Sequence, residues 1–212
     1  GAAASGDPSP ITAGGVYRGI KTCAERAFGS ADLSGRTIAV QGVGSVGGYL
    51  CDHLAQEGAR LFVCDIDQET VTRVCERTGA SRVNTDDIYD VDADIFSPNA
   101  LGAVINKATL GRLKVKVVAG GANNQLASPD MDSALREAGI LYAPDYVING
   151  GGIINVAAEI SGEYSRSWVM DKLDVLIETL GEVLDEALKA SLPTNLVAER
   201  IARQRIAAAK RG

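Results

Sequence analysis

The sequence has one histidine, one tryptophan and three phenylalanines in 212 residues. Histidine-based catalysis or metal binding therefore has a single candidate, His53. It falls inside a helical pattern, where a partly exposed structural position is expected. Cysteine is also sparse. The four present (Cys23, Cys51, Cys64, Cys75) form no C-x-x-C pair, so reduced and mostly buried thiols are expected, with no metal site. No run approaches the roughly 18 consecutive apolar residues that a membrane span needs. Positive charge is in deficit, with 21 Lys+Arg against 27 Asp+Glu and a net charge of -6, which argues against a nucleic-acid footprint. The opening "GAAASGDPSP" lacks a basic segment followed by an apolar core. It reads as a linker from something upstream rather than a signal peptide, and a cytoplasmic protein is expected.

What is present is a regular alternation. Val16, Ile20, Cys23 and Ala27 recur at helical spacing from Thr12 until Gly29. "TIAVQ" (37–41) and "RLFVC" (60–64) read as buried strands, with a helix from Ser45 to Gln56 between them. A helix over Gln68–Arg77, a strand in "DADIFSP" (92–98) and a helix over Lys107–Leu113 follow. "VKVVAG" (115–120), a helix over Ser128–Ala138 and "ILYAP" (140–144) complete the series. Short apolar runs alternating with helices of this length predict a parallel sheet covered on both faces. Beyond Pro144 a glycine-rich turn leads into a helix. A long helix over Trp168–Leu192 then carries a stripe of Val169, Leu173, Leu176, Leu180, Leu184 and Leu188, read as core packing, and a last helix follows Pro193. The expected fold class is α/β: a Rossmann-type, doubly wound, mostly parallel sheet with a C-terminal helical extension. Residues 1–148 would form the dinucleotide-binding unit with its linker and first helix, and 149–212 the helices packing back on it.

The "GVGSVG" at 42–47 directly follows a strand and opens a helix, and an acid ends the next strand. That context gives a G-x-G-x-x-G its meaning. Gly42 would allow the tight turn, Gly44 the approach of a pyrophosphate, and Gly47 close helix–strand packing. Amide groups at the helix start, with the helix dipole behind them, attract the phosphates. Asp65 is placed to accept the hydroxyls of an adenosine ribose and to repel a 2′-phosphate, with Asp67 adding to the repulsion. NAD is therefore the expected cofactor, in preference to NADP.

Three polar segments fall at strand ends, where ligands bind in such sheets: "SPNALG" (97–102), "AGGANNQL" (119–126) and "PDYVINGGGIIN" (144–155). Asn123 and Asn124 follow a buried strand. They either meet a ligand or stabilise a turn with their side chains, and Asn149 is open in the same way. None of these groups is an acid, base or nucleophile, and no lysine lies in these loops. Hydride transfer needs none, because a nicotinamide carries that step, but amine or alcohol oxidation requires a proton acceptor.

"SGDPSPITAGGVYRGIK", "VQGVGSVG", "AGGANNQL" and "APDYVINGGGIINVAAE" together resemble the nucleotide-binding portion of the glutamate/leucine/phenylalanine/valine dehydrogenases, above all leucine and valine dehydrogenases. The resemblance covers essentially the whole chain. It implies NAD-dependent oxidative deamination of a branched-chain or aromatic L-amino acid to a 2-oxo acid and ammonia. It implies that Thr12 approaches the nicotinamide, that Gly42, Val43, Gly44, Ser45, Val46 and Gly47 hold the pyrophosphate, and that Asp65 and Ile66 flank the adenosine ribose. Ala119 and Gly120 would border the cleft. Asn123 would reach the nicotinamide ribose and the substrate's polar head, and Asn149 the carboxamide. Ile153 and Val156 would line a side-chain pocket suited to a branched aliphatic substrate.

Three positions depart from the pattern of that family. Its P-C-A-L-G is here Pro98-Asn99-Ala100-Leu101-Gly102. Its N-A-G-G is Asn149-Gly150-Gly151-Gly152, which would loosen a helix start. Its V-A-D-E is Val156-Ala157-Ala158-Glu159, a lost carboxylate expected to affect substrate-side or inter-domain contacts. Such enzymes carry their catalytic lysine, a carboxylate-binding lysine and an aspartate in an N-terminal domain, and no such motifs occur here. No catalytic residue is therefore assigned in this chain. It reads as the cofactor half of an amino-acid dehydrogenase, whose partners are an amino-acid substrate and the N-terminal domain, in cis or in trans, and which could form a homo-oligomer. A stand-alone NAD-binding subunit needing a partner chain, and an enzyme of altered chemistry, stay open beside that reading.

Overall fold

The computed structural model describes residues 7–162 and 165–212. Most of the opening linker therefore lies outside the described residues. The first helix, α1, runs Ser9–Phe28, starting directly behind Pro8 rather than at Thr12. Proline suits a helix start because its missing N–H would have no partner there.

Strands β1 (Thr37–Gln41), β2 (Arg60–Cys64), β3 (Ser81–Arg82), β4 (Ile95–Pro98), β5 (Val117–Val118) and β6 (Leu141–Tyr142) form one sheet in the order β3-β2-β1-β4-β5-β6. Every pairing in it is parallel, with Ile38 opposite Leu61 on one side and Ile95 on the other. The crossovers are α2 (Ser45–Glu57), α3 (Gln68–Thr78), a 3-10 turn (Asp87–Asp90), α4 (Lys107–Leu110) and α5 (Asp130–Glu137). Then follow α6 (Asp145–Ile148), α7 (Gly151–Ile160), α8 (Arg166–Ala190) and α9 (Thr194–Ala209). Strand order reverses at β1, where chain direction places β2 on one side and β4 on the other. The doubly wound expectation is met.

Side-chain alternation sorts the central strands between two cores. Ile38, Val40, Ile95 and Val117 join a cluster with Val16 and Ile20 of α1, Leu50 and Leu54 of α2, and Leu180 and Leu184 of α8. Ala39, Phe96 and Val118 face the opposite way, toward Ile105, Met131 and Leu135. Each fully buried Ile or Leu of this kind contributes about 1.5–3 kcal/mol of transfer free energy. Arg18 pairs with Asp174 at 2.7 Å and Arg26 with Asp185 at 2.9 Å, both across the α1–α8 contact.

Several boundaries differ from the sequence reading. β3, the 3-10 turn and α6 are too short to leave a periodic signal. β5 holds two residues rather than the six of "VKVVAG", and α4 stops at Leu110 rather than Leu113. In α8 the stripe holds as far as Leu184, but Leu188 is 53% exposed while Ala187 is buried. Four-residue steps overshoot a helical turn by about 40° each, so the buried face passes to the residue three after Leu184. Cys23, Cys51 and Cys64 are buried free thiols and Cys75 is half-buried. Burial raises the first two to about 12. His53 lies two turns into α2, stacked on Tyr17 with ring centroids 4.9 Å apart. Among the described residues no helix is long and apolar enough to cross a membrane, and no group of three or more His, Cys, Asp or Glu could hold a metal ion.

Candidate functional site

The carboxyl ends of β1, β2, β4 and β5 converge where the strand order reverses. The chain leaves β1 through Gly42, whose φ of 87° lies in the left-handed region open to glycine. A side chain there would sit 2.9 Å from the Ala100 backbone nitrogen. At Gly47 an added Cβ would lie 1.9 Å from the Gly42 carbonyl oxygen, so this turn and α2 pack backbone to backbone. Gly44 differs, since nothing lies within 4 Å of an added Cβ and no side chain caps α2. The first amide hydrogens of a helix have no partner within it. Here Gly44 and Ser45 at that start are exposed, as an anion site requires. Gly42, Val43 and Gly47 are buried supports of the turn, Gly44 and Ser45 are exposed, and Val46 is half-buried.

Asp65 follows β2. Its Oδ2 accepts the Val43 N–H and its Oδ1 the Asp67 N–H, both at 2.9 Å. The acid is thus coupled to the glycine turn while remaining half-exposed, and Ile66 beside it is 89% exposed. Asp67 has a structural duty that the sequence reading did not assign. It caps α3, accepting from Glu69 N–H at 3.1 Å and Thr70 Oγ1 at 2.9 Å. The Thr70 hydrogen bonds, chiefly, hold its carboxyl below the usual range, with a smaller contribution from Arg73. A cavity of about 510 Å³ lined by Gly44, Ser45, Tyr49, Thr70 and Arg73 opens beside this corner. Two others of similar size flank α5 and α9 and hold none of the turn residues.

On the far side of the crevice the loop after β5 corrects two expectations. Ala119 is 0% exposed and Gly120 is buried against Pro98, so the open border begins at Gly121. Asn123 and Asn124 are both exposed, and of the two open alternatives Asn124 takes the turn, with a φ of 52°. The buried amide belongs to the next residue, Gln125, which the sequence reading missed. It is 0% exposed, and its Nε2 donates to the Gly120 and Ala122 carbonyls at 2.9 and 2.8 Å. Its own N–H donates to Asp145 Oδ2 at 2.9 Å. The only signal in the sequence was a polar residue available to close the carbonyls of a tight loop.

Asn149 ends α6 and meets that loop. Its Nδ2 donates to Asn123 Oδ1 at 2.6 Å and to the Gly121 carbonyl at 3.4 Å. That bond leaves the donor of Asn123 and the acceptor of Asn149 unused. Thr12 of α1 donates to the Pro8 carbonyl at 3.1 Å and lies against Gly152 at the start of α7. On α7 itself Ile153, Val156 and Ile160 share one face and are 73%, 44% and 82% exposed.

The three departures also find places. Asn99 bridges the turns after β4 and β5, accepting the Gly121 N–H at 2.8 Å. Gly150 is buried beneath Leu176, where a methyl group would press on the leucine, so this helix start is packed rather than loosened. Ala158 is 1% exposed and packed with Val169 and Leu173.

The sequence pattern of the Glutamate/Leucine/Phenylalanine/Valine dehydrogenase family matches residues 63–211. The chain is similar to the leucine dehydrogenase of Geobacillus stearothermophilus, at 50% identity over 202 residues covering 95% of this chain and 55% of that protein. It is similar to the L-tryptophan dehydrogenase of Nostoc punctiforme, at 42% identity over 208 residues covering 98% of this chain and 59% of that one. The crystal structure of L-tryptophan dehydrogenase from Nostoc punctiforme superposes with a TM-score of 0.94 at 41% identity, covering 98% of this chain and 63% of that chain. The chain thus spans little more than half the length of the curated relatives it matches. It belongs to the glutamate/leucine/phenylalanine/valine dehydrogenase family.

Proposed function

We propose that this chain is the NAD-binding part of an L-amino-acid dehydrogenase that oxidatively deaminates a branched-chain or aromatic amino acid to a 2-oxo acid and ammonia. In this reading residues 1–148 form the dinucleotide-binding unit and 149–212 the helices that pack back on it. The observation that carries it is the crevice at the reversal of strand order. There an uncapped helix start with open space at Gly44 stands beside a carboxylate, Asp65, tied to the same turn by a 2.9 Å bond. The residues present fit a nicotinamide dinucleotide. Gly44 and Ser45 offer amide hydrogens to the pyrophosphate, and Asp65 accepts the ribose hydroxyls and disfavours a 2′-phosphate. The free donor of Asn123 and free acceptor of Asn149 match a carboxamide, which needs one of each.

When bound, the nicotinamide supplies the hydride acceptor. The chain's part is to hold and orient it, with Thr12 near the ring and with Ile153 and Val156 offering apolar surface to the amino-acid side chain. Deprotonating the substrate amine and activating water require a base. The loops at 42–48, 97–103, 119–126 and 144–152 contain no lysine, histidine or glutamate, and their one carboxylate, Asp145, is taken up by the Gln125 N–H at 2.9 Å. We assign that group to a further domain, in cis or in trans, which the exposed face of α7 would help to bind. Calorimetric titration with NAD and NADP tests the reading. NAD binding in preference to NADP, without turnover of leucine or valine by this chain alone, is expected. Failure to bind NAD, or preference for NADP, overturns it.

A further inference from the structure

Asn99 stands where three strand ends meet. Its N–H donates to the Gln41 carbonyl at 2.6 Å, tying it to β1. Its Nδ2 donates to both the carbonyl and Oγ of Ser97, each at 3.0 Å, on the fully buried end of β4. Its Oδ1 accepts the Gly121 N–H at 2.8 Å from the loop after β5. The side chain thus uses both Nδ2 and Oδ1, and the rotamer that satisfies Ser97 also aims Oδ1 at Gly121.

The bond to Gly121 continues outward. The carbonyl of Gly121 accepts Asn149 Nδ2 at 3.4 Å, and the same Nδ2 reaches Asn123 Oδ1 at 2.6 Å. The loop also leaves no room for a side chain at Gly121. A Cβ added at Gly121 would lie 3.0 Å from Asn99 Oδ1 and 3.3 Å from both Val16 and Val46. Hydrogen bonds therefore run from the buried end of β4, through Asn99 and the two peptide units joined at Gly121 Cα, to the paired amides at the rim. Losing Asn99 releases the Gly120–Gly121 unit at its N–H, so the backbone can rotate about Gly121 Cα, and the next unit, which carries the acceptor for Asn149, keeps only the Ala122 N–H bond to the Pro98 carbonyl at 3.0 Å.

We propose that Asn99 is a positioning residue, which fixes the Asn149–Asn123 amide pair in the orientation that receives the carboxamide of the dinucleotide. The proposal rests on the NAD-binding reading above and extends it to the choice between a complete dinucleotide and one lacking its nicotinamide. ADP-ribose has the pyrophosphate and adenosine but no carboxamide, so the two ligands separate the rim from the glycine turn.

The test is calorimetric titration of the 212-residue chain with NADH and with ADP-ribose, in wild type, Asn99→Ala, Asn149→Ala and the double variant. Asn99→Ala should lower NADH affinity about three- to tenfold, the worth of one or two neutral hydrogen bonds, and leave ADP-ribose affinity within about twofold. The double variant should be no weaker than the weaker single one, because both changes break the same series of bonds. If Asn99→Ala does not fold, Asn99→Ser replaces it, being too short to reach Gly121, with the same expected ratio. Equal losses for both ligands, no loss for NADH, or additive effects in the double variant overturn the proposal. A wild type that binds ADP-ribose as tightly as NADH overturns it too while sparing the glycine-turn reading. A wild type that binds neither ligand overturns that reading itself.

Discussion

Asp65 Oδ2 accepts the backbone N–H of Val43 at 2.9 Å, so the acid that ends β2 also shapes the turn that ends β1. One carboxylate therefore has two duties, and its removal should show both. Asp65→Ala leaves the Val43 and Asp67 amides without their partner, which should lower stability by about 1–3 kcal/mol in a denaturant titration. NAD affinity should fall at least about tenfold, and the preference over NADP should narrow because the charge that repels a 2′-phosphate is gone. An unchanged NAD to NADP ratio would show that Asp65 does not face the ribose.

Gly44 and Gly47 sit three residues apart in one motif and should respond in opposite ways. Nothing lies within 4 Å of a methyl at Gly44, so Gly44→Ala should leave thermal stability within about 0.5 kcal/mol while blocking approach of the pyrophosphate. At Gly47 the methyl would stand 1.9 Å from the Gly42 oxygen, and Gly47→Ala should destabilise the fold by about 1–3 kcal/mol or more. Melting curves with and without NAD separate the two. A Gly44→Ala protein still protected by NAD counts against a phosphate at that turn.

Asp132 of α5 accepts the Asn195 N–H at 3.1 Å and so caps the start of α9 from a distant element. Burial pushes its carboxyl up to about 6. The folded state then holds this proton more tightly than the unfolded chain, whose Asp titrates near 3.9. Stability from this group is fully present below about pH 4 and lost as pH rises through about 6. Asp132→Asn keeps an acceptor for Asn195 and cannot ionise. Its stability relative to wild type should rise by about 2 kcal/mol between pH 4 and pH 7. Urea unfolding at both pH values checks this, and a pH-independent difference refutes it.

Ile153 and Val156 are exposed on α7, so replacing either with serine should change the stability of this chain by no more than about 0.5 kcal/mol. NAD affinity should also hold. In an enzyme containing this chain, the same changes should raise the KM for leucine more than they lower kcat, because they remove apolar surface rather than a group in proton transfer. A large loss of stability in the isolated chain would show that these side chains belong to its own core.

Strand and helix alternation, the glycine turn and the acid at position 65 were legible in the sequence, because each is a local pattern with a local cause. Apolar runs of five residues between helices specify buried parallel strands, and the spacing of Gly42, Gly44 and Gly47 is tied to one turn of backbone. The short elements β3 and α6 escaped, since two to four residues cannot show a period. The burial of Ala119 and Gly120 was not legible because burial at a strand end depends on what crosses above it, here Pro98 and the loop closed by Gln125. That Ala158 packs under Val169 and Leu173 of α8 was equally outside the reach of local pattern. Which strand ends meet, which amide turns inward, and which of Asn99's neighbours it holds depend on contacts between residues 20 to 60 positions apart. Sequence spacing sets what a segment can form, while the packing of distant segments sets where each polar atom finds its partner.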